Sequence, residues 1–195
     1  MTFISLGSTC SIAYNLKINN LRFDAYPFDW TRTLNLNNVS RAIDTSFKDF
    51  LNLDKFKLKQ FDESFEVNGI KGSYIYSNEY CSFFHDFNKL INEMDTTEFI
   101  QKYQRRINRF LELLRSNENI TFIREEIGKL NKNKINKLIQ SLNNYNPNMK
   151  FKIIIITNDH SYKNVNIEGV SFYFSDIRVT EWTRPEIDWN TLFIN

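Results

Sequence analysis

The stretch Phe3-Ile-Ser-Leu-Gly-Ser-Thr-Cys-Ser-Ile-Ala-Tyr-Asn-Leu16 decides how the chain is read, because it runs from a buried strand through a tight turn into a helix. Phe3, Ile4 and Leu6 form an apolar run, Gly7 allows a sharp change of backbone direction, and Ser8 and Thr9 are residue types that cap helices. Ile12, Ala13 and Leu16 then give that helix a buried face. Cys10 sits at the joint. A thiol in the first turn of a helix meets unpaired backbone N–H groups and the positive end of the helix dipole. Both favour the thiolate, so the pKa of Cys10 is expected to fall. The N–H groups from Ser8 to Ser11 are equally suited to hold an oxyanion. The plain alternative makes Cys10 a small apolar core residue.

Farther along, Asn119-Ile-Thr-Phe-Ile123 reads as a strand that ends at Arg124-Glu125-Glu126. A helix follows from Asn131 to Leu142, with Ile135, Leu138, Ile139 and Leu142 on one face. Lys150-Phe-Lys-Ile-Ile-Ile-Ile156 is a strand buried on both faces, and Gly169-Val-Ser-Phe-Tyr-Phe174 is another. Strand, helix, strand in succession predicts a parallel sheet with crossover helices. With the opening strand included, the expected fold is a mostly parallel, doubly wound α/β sheet with flanking helices; an α+β papain-like arrangement is the alternative. Ligands of wound sheets bind beyond the carboxyl ends of the strands, which would bring Gly7–Cys10, Arg124–Glu126 and Thr157–His160 to one crevice. Arg124, following a buried strand, is then structural or substrate-facing and not solvated.

Between these parts, Leu21-Arg-Phe-Asp-Ala-Tyr-Pro-Phe-Asp-Trp30 sets Asp24 and Asp29 among aromatic rings, so at least one carboxyl group is expected to be desolvated. Leu36, Val39, Ile43, Phe47, Phe50 and Leu51 predict one or two short amphipathic helices. An Asn68-Gly69 turn signal predicts a hairpin or irregular region. Ser73–Ser77 and Tyr80–Phe84 read as short aromatic strands, followed at once by His85-Asp86-Phe87. Thr97 to Arg115 is the clearest helix, with Phe99, Ile100, Tyr103, Ile107, Phe110, Leu111 and Leu114 on its apolar face. The closing segment, with two tryptophans and a late apolar pair, is expected to dock on the body of the domain.

With 195 residues and 42% hydrophobic content, the chain is expected to be a single domain over 1–195, with a helical or irregular insertion around 36–95. Twenty-five basic residues against 23 acidic ones leave a net charge of +2, which argues against a nucleic-acid partner. No apolar run suits a bilayer span or a signal peptide, so a soluble, cytoplasmic protein without a membrane partner is expected. The two cysteines, Cys10 and Cys81, make no disulfide framework and no C-x-x-C metal spacing. Neither a G-x-G-x-x-G nor a P-loop is present, and no metal or other cofactor is expected.

Ser5-Leu-Gly-Ser-Thr-Cys10 with Ala13-Tyr14, then Pro27-Phe-Asp-Trp30, His85-Asp-Phe87, Arg105-Arg106 ahead of Phe122-Ile-Arg124, and the tryptophan-bearing tail resemble a known family. It is the family of papain-like cysteine peptidases designated DUF1796. The resemblance implies a cysteine-centred active site with Cys10 as nucleophile and His85 as base. His85 and Asp86 would point to opposite sides of a strand, so Asp29 is the expected orienter of the imidazole, its loop fixed by Pro27. Substrate contacts are expected from Ser8, Thr9, Ser11, Trp30, Asp86 and Arg124. The substrate would be a peptide, an acyl compound or a small anion. Two other readings stand beside this one. Gly7-Ser8 after a strand faintly resembles an esterase turn, without any Gly-x-Ser-x-Gly. The first helix and Arg124 could instead hold an anion or a carbohydrate without catalysis. A working dyad would bring sulfur and ring nitrogen within about 4 Å; otherwise His160 is the remaining histidine.

Overall fold

The computed structural model describes residues 1–126, 128–175 and 181–194. In chain order the elements are β1 (Thr2–Ser5), α1 (Ser11–Ile18), β2 (Thr31–Arg32), α2 (Leu36–Asp44), β3 (Lys57–Val67), β4 (Ile70–Ser77) and β5 (Ser82–Phe83). There follow α3 (Thr97–Arg115), β6 (Asn119–Glu126), α4 (Lys132–Tyr145), β7 (Lys150–Thr157), β8 (Val170–Phe174) and α5 (Trp189–Ile194). The fold is mixed α/β, with one parallel and one antiparallel sheet of four strands each among the described residues.

The parallel sheet has the order β1-β6-β7-β8, in register through Ile4↔Phe122, Ile123↔Ile154 and Ile155↔Phe172. Side chains alternate between its faces, as the two-residue period of a strand requires. Ile4, Ile120, Phe122, Ile153 and Ile155 pack with apolar residues of α2, α3 and α4. Phe3, Ile123, Ile154 and Ile156 pack with Ile12 and Leu16 of α1 and Trp189 and Leu192 of α5. Helices therefore cover both faces, which explains the near-continuous isoleucine run of β7. The strand order proceeds in one direction from β1 to β8. The reversal that defines a doubly wound sheet is not found among the described strands, and an α+β description fits the two sheets equally well.

The antiparallel sheet, β2-β5-β4-β3, occupies the region expected to be helical or irregular. Asn68 and Gly69 turn the β3–β4 hairpin with φ of 52° and 79°, the two left-handed residues that suit a tight hairpin to twisted strands. β2 and β5 pair over two residues each, Thr31↔Phe83 and Arg32↔Ser82. So short a ladder needs packing to hold it. Phe83 is fully buried, with the rings of Phe50, Phe56, Phe87, Phe99 and Tyr103 around it at centroid distances of 5.0 to 6.4 Å. Phe83 and Phe122 lie in one continuous apolar cluster, so the two sheets share a core.

Candidate active site

After β1 the chain turns through Gly7 and Ser8, both with φ of 78°. A Cβ on Gly7 would sit 3.0 Å from Thr33 Oγ1, so this position needs glycine both for its backbone and for space. The helix that follows is capped differently from expectation: Cys10, not Ser8 or Thr9, is the N-cap residue, and its side chain makes no capping bond. Thr9 Oγ1 donates instead to Glu125 Oε2 at 2.8 Å and lies 2.7 Å from Ser11 Oγ. The backbone N–H groups of the first turn of α1 thus have no side-chain cap at Cys10.

His85 follows β5, two residues beyond the partner of Thr31. The pairing of β2 with β5 sets the ring of Trp30 edge-on to the imidazole at 6.2 Å, and Phe65 of β3 approaches from 5.2 Å. The structure places Cys10 Sγ 3.9 Å from His85 Nε2. A thiol from the parallel sheet and an imidazole from the antiparallel one meet across their seam.

Burial pushes the Cys10 thiol up to about 11, with Arg32 opposing and Asp29 and Asp86 adding to the rise. This reverses the sequence-based expectation: at this partly buried position desolvation of the thiolate is the largest influence on the thiol. Burial also holds the His85 pKa below its ordinary value, opposed by Asp86 and assisted by Arg32 and Lys102. Near neutral pH the pair is an uncharged thiol beside an uncharged imidazole.

Asp29 does not act as the expected orienter. It is 1% exposed, and its Oδ2 accepts from Arg22 Nε at 2.9 Å, Arg22 Nη2 at 2.7 Å and the Tyr26 amide at 2.9 Å. Among the described residues no hydrogen bond joins it to His85. Burial raises its pKa against the pull of Arg22, so Asp29 is the desolvated acid that the aromatic loop implied. Asp86 is likewise committed, to Lys102 Nζ and, at 3.0 Å, to the hydroxyl of Tyr103, and its carboxylate is not free for a substrate. The imidazole is positioned by the edges of Trp30 and Phe65.

Arg124 and Glu125 point to opposite faces of β6. Arg124 is fully buried; it donates to Leu6 O at 2.9 Å, Glu126 Oε1 at 2.8 Å, Thr33 O at 3.3 Å and Thr33 Oγ1. With no solvent-facing donor it braces the turn before Cys10 against the segment after β2, and the expected substrate contact is replaced by a structural one. Glu125, also fully buried, joins the Thr9 hydroxyl to the guanidinium of Arg184 in the closing segment. Arg184 is 2% exposed and bonds Glu186 Oε1 at 2.6 Å, while Asn15 Nδ2 reaches Thr183 O at 2.8 Å. The closing segment therefore clamps the start of α1. Arg184 was hidden in sequence, since nothing in Thr183-Arg-Pro185 announces a buried cation. Arg32, whose charge acts on both Cys10 and His85, was equally unmarked. His160 stacks on Phe174 at 5.6 Å, at the edge of the sheet opposite β1.

Two surface depressions, one beside Phe23 and Glu118 and one beside Asn52 and Asn108, are lined by neither Cys10 nor His85. Among the described residues no cluster of three or more His, Cys, Asp or Glu side chains is arranged to hold a metal ion, and no helix is long and apolar enough to cross a membrane.

The geometry defines a class, an α/β protein whose opening strand delivers a cysteine to a helix start facing a histidine. A model of the family described as "Putative papain-like cysteine peptidase (DUF1796)" matches residues 1–161, and the chain belongs to that family. The match takes in Cys10, Asp29, His85 and Arg124 and stops before Arg184. Uncharacterized protein R408 of Acanthamoeba polyphaga mimivirus is 28% identical over 218 residues, an alignment covering 99% of this chain and 97% of that protein. No solved structure matches the chain.

Proposed function

We propose that the protein is a cysteine-dependent hydrolase of peptide or other acyl bonds, with Cys10 as nucleophile and His85 as general base. The observation that carries this reading is the 3.9 Å approach of Cys10 Sγ to His85 Nε2, joined to membership of a family described by that chemistry. For Nε2 to accept, the imidazole proton sits on Nδ1. Because burial keeps the thiol protonated, the proton passes to Nε2 as sulfur attacks the carbonyl carbon, without a standing ion pair. The carbonyl oxygen becomes an oxyanion held by backbone N–H groups at the start of α1. Collapse of the tetrahedral intermediate breaks the bond to the leaving amine or alcohol, which takes the proton back from Nε2 and leaves a thioester on Cys10. Water, deprotonated by His85, then releases the acid and the thiol. An amine or alcohol in place of water turns the same thioester chemistry into acyl transfer. Among the alternatives, a non-catalytic anion- or carbohydrate-binding domain draws on the raised thiol pKa.

Reaction with 4-nitrophenyl acetate, followed by intact and peptide mass, tests the assignment. The expected result is one acetyl group on the Cys10 peptide, formed at least about 100-fold more slowly in His85→Ala, the lower end of a general-base contribution. Equal acetylation rates in wild type and His85→Ala would overturn the hydrolase reading in favour of the binding domain.

A further inference from the structure

Among the charged groups around the Cys10–His85 pair, Arg32 differs from every other. Asp29 is taken by Arg22, Asp86 by Lys102 and Tyr103, Arg124 by Leu6, Thr33 and Glu126, and Glu125 by Arg184 and Thr9. Arg32 is exposed, and among the described residues it forms no ion pair. Its guanidinium lies over the ring of Phe84, 4.5 Å from the centroid. The acid nearest in influence, Asp62 of β3, spends its oxygens on Ser64 and Gln60. The backbone fixes where this cation sits: Arg32 pairs with Ser82 in the β2–β5 ladder, Phe84 and His85 follow directly after β5, and Trp30 is two residues before Arg32.

A guanidinium stacked on a ring keeps its N–H donors at the ring's margin, free for a planar anion, and the stack holds the side chain in place. The stack therefore presents a cation that has no close ion-pair partner among the described residues and whose charge acts on the Cys10 thiol.

We infer that Arg32 reads a carboxylate on the substrate, so that the acyl compound attacked by Cys10 is an acidic one, bearing its negative group close to the reacting carbonyl. The inference rests on the proposed hydrolase chemistry and names its substrate class. It also moves anion recognition from Arg124, which is sealed in the core, to a residue that solvent and substrate can reach.

Iodoacetate and iodoacetamide, which differ by one negative charge, test it at Cys10 itself. The ratio of their rates, measured from the mass of the Cys10 peptide and divided by the same ratio for N-acetylcysteine, is expected to favour iodoacetate by roughly tenfold, the order expected for one unit charge acting across several ångströms at a partly solvated site. Arg32→Gln should bring the normalised ratio to about 1, Arg32→Lys should retain most of it, and 0.5 M salt, a roughly threefold or larger rise over physiological strength, should lower it in wild type. The 4-nitrophenyl ester of succinic acid should likewise acylate Cys10 faster than the acetate ester only while Arg32 or Lys is present. A normalised ratio that is the same in wild type and in a folded Arg32→Gln protein would overturn the inference. His85→Ala separates the two claims. Loss of acylation there together with a ratio indifferent to Arg32 would sink the substrate class alone. Unchanged acylation there would sink the hydrolase reading while the ratio still reports on Arg32.

Discussion

Cys10 leaves a strand that is hydrogen-bonded into a buried parallel sheet, whereas His85 leaves a two-residue strand that aromatic rings hold in place. On the thiol side, backbone ladders and two buried arginines define the geometry. Arg124 ties Leu6 to Thr33, and Arg184 ties the closing segment, through Glu125, to Thr9. On the imidazole side β5 pairs over just two residues with each of its neighbours, and position comes from the cluster around Phe83 and the edges of Trp30 and Phe65. A site assembled from one rigid half and one packed half should fail differently according to which half is damaged.

The largest effect is expected on the packed side. Phe83→Ala should cost about 3–5 kcal/mol of stability by urea unfolding, since it empties the centre of the ring cluster. It should also abolish acylation of Cys10 under conditions where the protein remains folded, because His85 follows Phe83 closely. Ile155→Val, in the middle of the parallel sheet, should cost about 0.5–1.5 kcal/mol and leave acylation within twofold. Comparable loss of acylation in both variants would break the division between the halves.

The same division decides what could be seen in the sequence. The isoleucine run of β7, the 3.6-residue face of α3 and the turn residues at Gly7 and Asn68-Gly69 are local signals, each fixed by burial or backbone sterics within a few residues. The Cys10–His85 separation and the Glu125–Arg184 pair are not local. They depend on how far chain segments are brought together, and a two-residue strand such as β5 is too short to show a period. The rise in the thiol pKa has a related origin: a helix start is visible in sequence, but the burial of Cys10 depends on the folded arrangement of distant segments.

On the rigid side, Arg184→Met should cost about 3 kcal/mol or somewhat more, because it leaves the Glu125 carboxylate buried without its cation. Pairing it with Glu125→Leu should recover at least half of that loss, since the stranded charge is removed together with its partner. If the double variant is as unstable as Arg184→Met alone, the cost lies in packing of the closing segment and not in the charge. Gly7→Ala should be milder, about 1–2 kcal/mol for a left-handed non-glycine residue, with the contact to Thr33 Oγ1 as an added strain.

The smallest effect, and the one that separates the two forces acting on Cys10, is in its titration. A thiol whose pKa stands at about 11 in the folded protein, above the 9.0 of an unperturbed one, contributes stability that is present below pH 9 and lost as pH rises toward 11. His85 acts in the opposite sense. Its folded pKa lies below 6.5, so its contribution is present above pH 6.5 and lost as pH falls through the folded value. Neither titration weakens the fold between those limits. In a Cys81→Ala protein, where Cys10 is the sole thiol, alkylation by iodoacetamide should climb through neutral pH without a plateau and reach half its maximum near 11. A helix-start thiolate would instead plateau well below 9. Such a plateau would mean that the N–H groups of α1 outweigh the desolvation of the sulfur, and the pair would then be an ion pair at rest. The climb toward 11 would mean that burial governs the sulfur, with proton transfer deferred to the moment of attack.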